Sequence, residues 1–592
     1  MLECQIMREK EVKTCQNCKS QFTIEPEDFE FYEKIKVPPP TFCPECRFIR
    51  RAIFWNNGQL FRKKDVRTGQ EIFSTYPEES PIKIYDRDFW WSDGWDALAY
   101  GRDYDFNKPF FAQFEELLYA VPAASKSVKN MVNSDYCNQA GQLKNCYLCF
   151  NAGDSENCLY SSSIVNVKDS VDMLTAATSE LCYNSFFVVD SYQVFWSVDC
   201  NNCKNVYFSY NCENCSDCFG CVNLKHKQYY IFNKSYTKEE YEQKLKEFNL
   251  GSYESLKKIE EIVFNFRNAF PRKFMTGTKN VDVVGDYVDN SKNAKYCMQA
   301  LDLENARYAF DSSLGIKDVY DYINWGNNVE LMYETVECGE NCRNLRFTFN
   351  CWPNVSDIEY SMDCHSSLNL FGCVGLRNKQ YCVFNKQYSK DDYENLVAKI
   401  KKHMDEMPYR DAKGIVYRYG EFFPAELSSL AYNESAANAY FPSDKEAVVV
   451  KGLPWRDINP REYSITVPAD QLPDHINEVG ESILQEVVGC SSCHRAYKIT
   501  PQELAFYKKF SIPLSRLCFD CRHKKRLSYR NSPRWYPRAC RCSGVSAENG
   551  VYKNTTEHFH RADHCPNKFE TTYAPDRPEI VYCEACYNAE IA

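Results

Sequence analysis

A period of twelve residues runs through the middle of the chain. Cys146, Cys158, Ser170, Cys182, Val194, Val206 and Cys218 follow one another at that interval. Three residues later Cys149, Ser161, Met173, Ser185, Ser197, Ser209 and Cys221 keep step, nearly all of them small. One residue before the first series stand Asn145, Asn157, Asp169, Leu181, Gln193, Asn205 and Asp217. Twelve residues are too few for a helical repeat. Small residues stacked at one phase, with Asn or Asp beside them, suit short strands joined by tight corners. The expected fold is therefore mainly β with added helices, built on two tracts of flattened parallel β-solenoid of about 12 residues per coil.

The second tract is looser: Ala294, Ala306, Val319, an irregular coil, then Leu345, Ile358 and Leu370. Both tracts end alike, FGCVNLKHKQYYIFNKSYTKEEYEQKL at 219–245 matching FGCVGLRNKQYCVFNKQYSKDDYENLV at 371–397 in 15 of 27 positions. Each terminator reads as a strand-like FGCV with an FNK continuation, followed by a charged helix. Thr237 and Ser389 stand at N-cap positions, with Glu240 and Asp392 three residues on. Such helices would cover an otherwise open tract end.

The two ends of the chain carry one duplicated module. Cys15, Cys18, Cys43 and Cys46 recur as Cys490, Cys493, Cys518 and Cys521, each shifted by 475, and the intervening side chains match in type. Two C-x2-C pairs supply the four thiolates of a closed, structural zinc site, which leaves no position for a reactive water. The segment CQNCKSQFTIEPEDFEFYEKIKVPPPTFCPECR resembles zinc-ribbon or treble-clef modules, a resemblance that implies zinc and no reaction. Near the C-terminus Cys540, Cys542, Cys565, Cys583 and Cys586 offer five thiols, four of which suffice for a third site, and His558, His560 or His564 could substitute. The fourth ligand stays open. A matching segment lies 497 residues upstream with Thr68, Asp86 and Phe89 in place of three of those cysteines, a relic expected to bind no zinc. Cys200, Cys203, Cys212 and Cys215 imitate a zinc knuckle, but each pair is also one twelve-residue period. A dry core ladder, a shared ion and disulfides all remain open for them.

The order CQNC–CPECR, WWSDGWDALAYGRDYDFNKPFFAQF, NKQYCVFNKQYSKDDYE, YGEFFPAELS and PDRPEIVYCEACY resembles, over nearly the full length, a family of zinc-ribbon plus β-solenoid proteins of candidate-phylum bacteria. The resemblance implies cytoplasmic zinc-binding proteins and carries no activity. Composition agrees. The 592 residues have a net charge of -10 and 32 cysteines, no apolar run of transmembrane length, and a charged start without the apolar stretch of a signal peptide. Reduced thiols are then expected, and metal binding or core packing rather than disulfides. No GxSxG, P-loop, HExxH or dinucleotide-binding fingerprint is present, so no enzyme is expected.

Basic and aromatic residues gather beside both ribbons. Arg47, Arg50 and Arg51 follow Cys46, and Arg522, Lys524, Lys525, Arg526 and Arg530 follow Cys521, in a run free of acids up to Arg541. Cations interleaved with aromatics suit phosphate contact and base stacking. The sequence thus reads as a non-enzymatic, cytoplasmic zinc protein that binds RNA or a ribonucleoprotein through these patches. The alternative is a protein-interaction scaffold that uses the tract faces. The expected order is a ribbon module at 1–60, a metal-free relic and connector at 61–128, the first tract at 129–235 and a helical linker at 236–272. The second tract follows at 273–386, a helical cap at 387–408, an irregular connector without chemistry at 409–485, a ribbon at 486–530 and a ribbon-like module at 531–592. Two zinc ions are expected in the ribbons and a third in the last module.

Overall fold

From Asn145 to Asn214 every third residue takes the left-handed backbone conformation, with φ between 45° and 60°. Left-handed corners cost an ordinary L-residue about 1–2 kcal/mol, and Asn and Asp relieve that cost with local side-chain hydrogen bonds. That is why Asn145, Asn157 and Asp169 recur at this phase. Their side chains also bond in a ladder, Asn133 Nδ2 to Asn145 Oδ1 and Asn145 Nδ2 to Asn157 Oδ1 at 3.1 Å, then Asn157 Nδ2 to Asp169 Oδ1 at 2.8 Å. Corners three residues apart favour small side chains in the inner rows, mostly Cys, Ser, Ala and Val, with Ile164 and Met173 among them.

The computed structural model describes residues 9–56, 58–457 and 463–591. It is mainly β, and its two largest sheets are parallel apart from their closing strands. In the first, Met173 pairs with Ser185, Val194 with Val206 and Val206 with Cys218, each a step of twelve. Cys200 pairs with Cys212 in the same way, and Cys200, Cys203, Cys212 and Cys215 are all buried. The Cys203 thiol donates to the Asn201 and Cys212 carbonyls, so these cysteines form core rows bonded to backbone.

In the second sheet the expected irregular coil is regular. Ala306 pairs with Val319, Val319 with Met332, Met332 with Leu345 and Leu345 with Ile358, four steps of thirteen. A step of twelve returns at Leu370. One added residue per step hid Met332 from a search at a fixed interval.

The Phe-Asn of the FNK continuation is a turn, and its lysine opens a new strand. Phe232 and Asn233 both have positive φ, as do Phe384 and Asn385, the signature of a two-residue type I′ hairpin. It reverses the chain, so Lys234–Ser235 and Lys386–Gln387 run antiparallel to the strand before them. The Asn233 side chain then donates to the Val222 carbonyl and accepts from the Val222 N–H, and Asn385 does the same at Val374. The helices Lys238–Glu247 and Lys390–Glu406 follow, capped by Thr237 and Ser389, and bury Tyr241 and Tyr393 beside their own tracts.

The chain divides into two compact units. One comprises Met1–Lys126, Met275–Arg456 and Ser532–Trp535; the other comprises Ser127–Phe274, Asp457–Asn531 and Tyr536–Ala592. The N-terminal ribbon therefore belongs with the second tract and the C-terminal ribbon with the first. Among the described residues no helix is long and apolar enough to cross a membrane.

Candidate metal centres

Each ribbon is built the same way. A short hairpin, Glu11–Thr14 with Gln21–Ile24, carries Cys15 and Cys18 in its turn. The helix Pro44–Ala52 starts with Cys43 as its N-cap residue and Cys46 in the first turn. In the C-terminal copy Cys490 and Cys493 occupy the turn, and Cys518 and Cys521 the start of Phe519–Leu527. Lys19 and His494 take the same left-handed position, and their N–H groups bond the Cys15 and Cys490 carbonyls.

In each set of four cysteines the sulfurs all lie within 4.8 Å of one another, as they do in Cys540, Cys565, Cys583 and Cys586. The Cys18–Cys43 and Cys493–Cys518 sulfurs are 3.6 Å apart and those of Cys565 and Cys583 are 3.8 Å apart. A tetrahedral ion with metal–sulfur bonds of about 2.3 Å holds its ligands about 3.8 Å apart. All three groups can hold a metal ion. Hydrogen bonds from Cys43 and Cys46 pull the Cys15 thiol far below its usual range, and Cys540 and Cys586 do the same to Cys583. Burial pushes the Cys493 thiol up, but bonds from the Arg495 side chain and backbone bring it down to about 6.

The fifth thiol of the last module, Cys542, stands outside that set. With His558, His560 and Cys586 it forms a fourth group, so Cys586 is common to two. His564 joins neither. In the N-terminal relic Asp86 caps the helix Arg87–Trp91, Thr68 donates to Asp65, and Phe89 lies under the Arg67 guanidinium at 4.2 Å.

The arginines assigned above to phosphate contact have other partners. Arg47, Arg50, Arg51, Arg522, Arg526 and Arg530 are 2, 3, 0, 6, 0 and 9 % exposed, too little to meet a nucleic acid. Arg47 and Arg51 both donate to Asp321 at 2.9 Å. Arg50 bridges Glu334 and Glu421 at 2.7 Å, giving three guanidiniums to three carboxylates. In the other unit Arg522 and Arg526 pair with Asp172 at 3.0 and 2.9 Å, and Arg522 with Glu503 at 2.8 Å. Burial alone would lower the Arg47 and Arg522 pKa values, but Asp321 and Asp172 keep both well above their ordinary value.

The same ribbon helices thus carry the metal ligands and a charge-balanced clamp on the tract. Of the C-terminal patch, Lys524 and Lys525 stay exposed, and Lys525 is bonded to both Glu260 oxygens at 2.8 Å. Of the aromatics beside the N-terminal ribbon, Phe48, Phe54 and Trp55 are buried in one core, whereas Tyr529, Trp535 and Tyr536 beside the C-terminal one are half-buried.

Sequence reasoning missed Glu421, which lies in the connector read as having no chemistry. No motif in the sequence marks it; the structure brings it there after Gly420, whose φ is +102° and whose added Cβ would fall 2.3 Å from Pro38. The chain matches no family model and no curated protein.

Proposed function

We propose that the protein is a non-enzymatic cytoplasmic scaffold in which zinc ions fold the ribbons and the ribbons brace two closed β-solenoids. The observation that carries this reading is the burial of the ribbon arginines against Asp172 and Asp321. A module that spends its cations on its own tract is a brace, not a nucleic-acid arm. Closure of the first solenoid is supported by parallel bridges at twelve-residue steps, Val132–Lys144–Glu156 and Tyr147–Leu159–Val171, and closure at the end of the second by Met362–Val374 and His365–Arg377. Zinc is the ion that four thiolates at this spacing suit, and reduced thiols accord with the cytoplasm.

The open flanks carry cross-step ion pairs, Lys144 with Glu156, Lys317 with Glu304 and Arg343 with Glu330. Neutralised flanks favour a protein partner over a polyanion. The test is a titration of the zinc-loaded, nuclease-treated protein with mixed RNA and DNA at two salt concentrations. The scaffold reading expects no submicromolar binding at either. Submicromolar binding that collapses as salt rises, the mark of counterion release, would contradict it.

A further inference from the structure

The C-terminal module has seven ligating side chains around one small volume, more than a single ion can use. We propose that it holds two divalent ions of zinc-like softness bridged by the Cys586 thiolate. One ion takes Cys540, Cys565, Cys583 and Cys586, and the other takes Cys542, His558, His560 and Cys586. This rests on the zinc reading of the Cys4 groups and adds a site to it.

The imidazoles are oriented for the task. His558 puts Nδ1 3.2 Å from Cys542 Sγ and Nε2 2.8 Å from Glu590 Oε1. His560 puts Nε2 3.2 Å from Cys586 Sγ and Nδ1 2.7 Å from the Asp563 carbonyl oxygen. Each ring thus turns one nitrogen to the thiols and anchors the other on an oxygen, the arrangement that fixes the tautomer of a ligating histidine. Glu590 is itself held by the Thr555 and Thr556 N–H and hydroxyl groups and by the Tyr552 hydroxyl. Asn554 Nδ2 donates to Cys542 Sγ at 3.2 Å, as Asn567 Nδ2 does to Cys583 Sγ at 3.3 Å, so a thiolate is supported in each half.

Tetrahedral bonds of about 2.3 Å to sulfur and about 2.05 Å to nitrogen set an S–N distance of about 3.5 Å, a few tenths more than is found here. Charge favours sharing. Five thiolates and two dications leave a net charge of one, whereas four thiolates and one dication leave two, and buried net charge is costly. Binding the second ion displaces only the Cys542 proton, because Cys586 is already a thiolate on the first.

Native mass spectrometry of the full-length, zinc-saturated protein provides the test. Four ions are expected, and three in His558→Ala/His560→Ala and in Cys542→Ser. Three ions in the wild type would overturn the bridged pair and leave three Cys4 sites standing; two or fewer would overturn both readings. Wild-type protein loaded with 113Cd gives an independent measurement that needs no variant. Two of its resonances should be mutually split through Cys586 Sγ, and four unsplit resonances would refute the bridge.

Discussion

Asp172 and Asp321 each sit at a left-handed corner, with φ of 60° and 56°, and each faces two arginines. One residue type meets both demands, because aspartate tolerates the corner and supplies the charge. Asp172→Asn keeps the corner but leaves Arg522 and Arg526 without their shared counter-charge. It should cost about 3–5 kcal/mol by denaturant unfolding, as removal of one partner of a buried pair does. Arg526→Met in the same chain should recover part of that loss, and strictly additive effects would argue against the contact.

Asp363 behaves differently. Burial raises its pKa to about 6 from an ordinary 3.8, against the pull of Asn350 Nδ2 at 2.6 Å. Its folded form holds a proton that the unfolded form has lost, so its contribution is fully present below about pH 4 and is lost as pH rises through about 6. Asp363→Asn should remove that slope and stabilise the protein above pH 6 by about 2–3 kcal/mol. Unfolding curves at pH 4.5 and 7.5 would show it, and parallel curves for the two proteins would refute it. The sequence displayed these arginines but not their partners, of which Asp172, Asp321, Glu334 and Glu421 lie hundreds of residues away and Glu503 lies nineteen before Arg522: an acid-free run from Arg522 to Arg541 looks unpaired only in one dimension.

At the level of the element, each ribbon sets four thiols that can hold an ion beside a helix whose arginines are buried against a tract. Metal binding supplies most of the folding free energy of so small a module. Cys490→Ser should lose one equivalent of zinc and release the helices Pro501–Phe510 and Phe519–Leu527 from their tract. Tyr160, Tyr183 and Phe195, now buried in one core with Tyr507, would then bind a hydrophobic dye. Asp86→Ala should leave the zinc count unchanged. An undiminished count in Cys490→Ser would refute the ligand assignment. The ribbons and the first tract were legible because their spacing is fixed by local geometry: a step of three residues from thiol to thiol and from corner to corner. The thirteen-residue steps through Met332 and the hairpin at Phe232-Asn233 were not, since one depends on a repeat that changes length and the other on φ at a phenylalanine.

At the scale of the whole molecule, neither half of the chain contains a complete unit. The first tract shares a unit with the C-terminal ribbon and the second tract with the N-terminal one. Two similar ribbons and two similar tracts can be matched in two ways, and no periodicity distinguishes them. Position-specific partners do: Arg50 meets Glu334 and Glu421, whereas Lys525, its counterpart 475 residues on, meets Glu260. The direct test is to produce pieces of the chain in the presence of zinc. Segments 127–274 and 457–592, made together, should co-purify and melt cooperatively, while segment 1–274 alone should not. A cooperative, zinc-loaded 1–274, with no association between the other two segments, would contradict the pairing of ribbons with tracts described above.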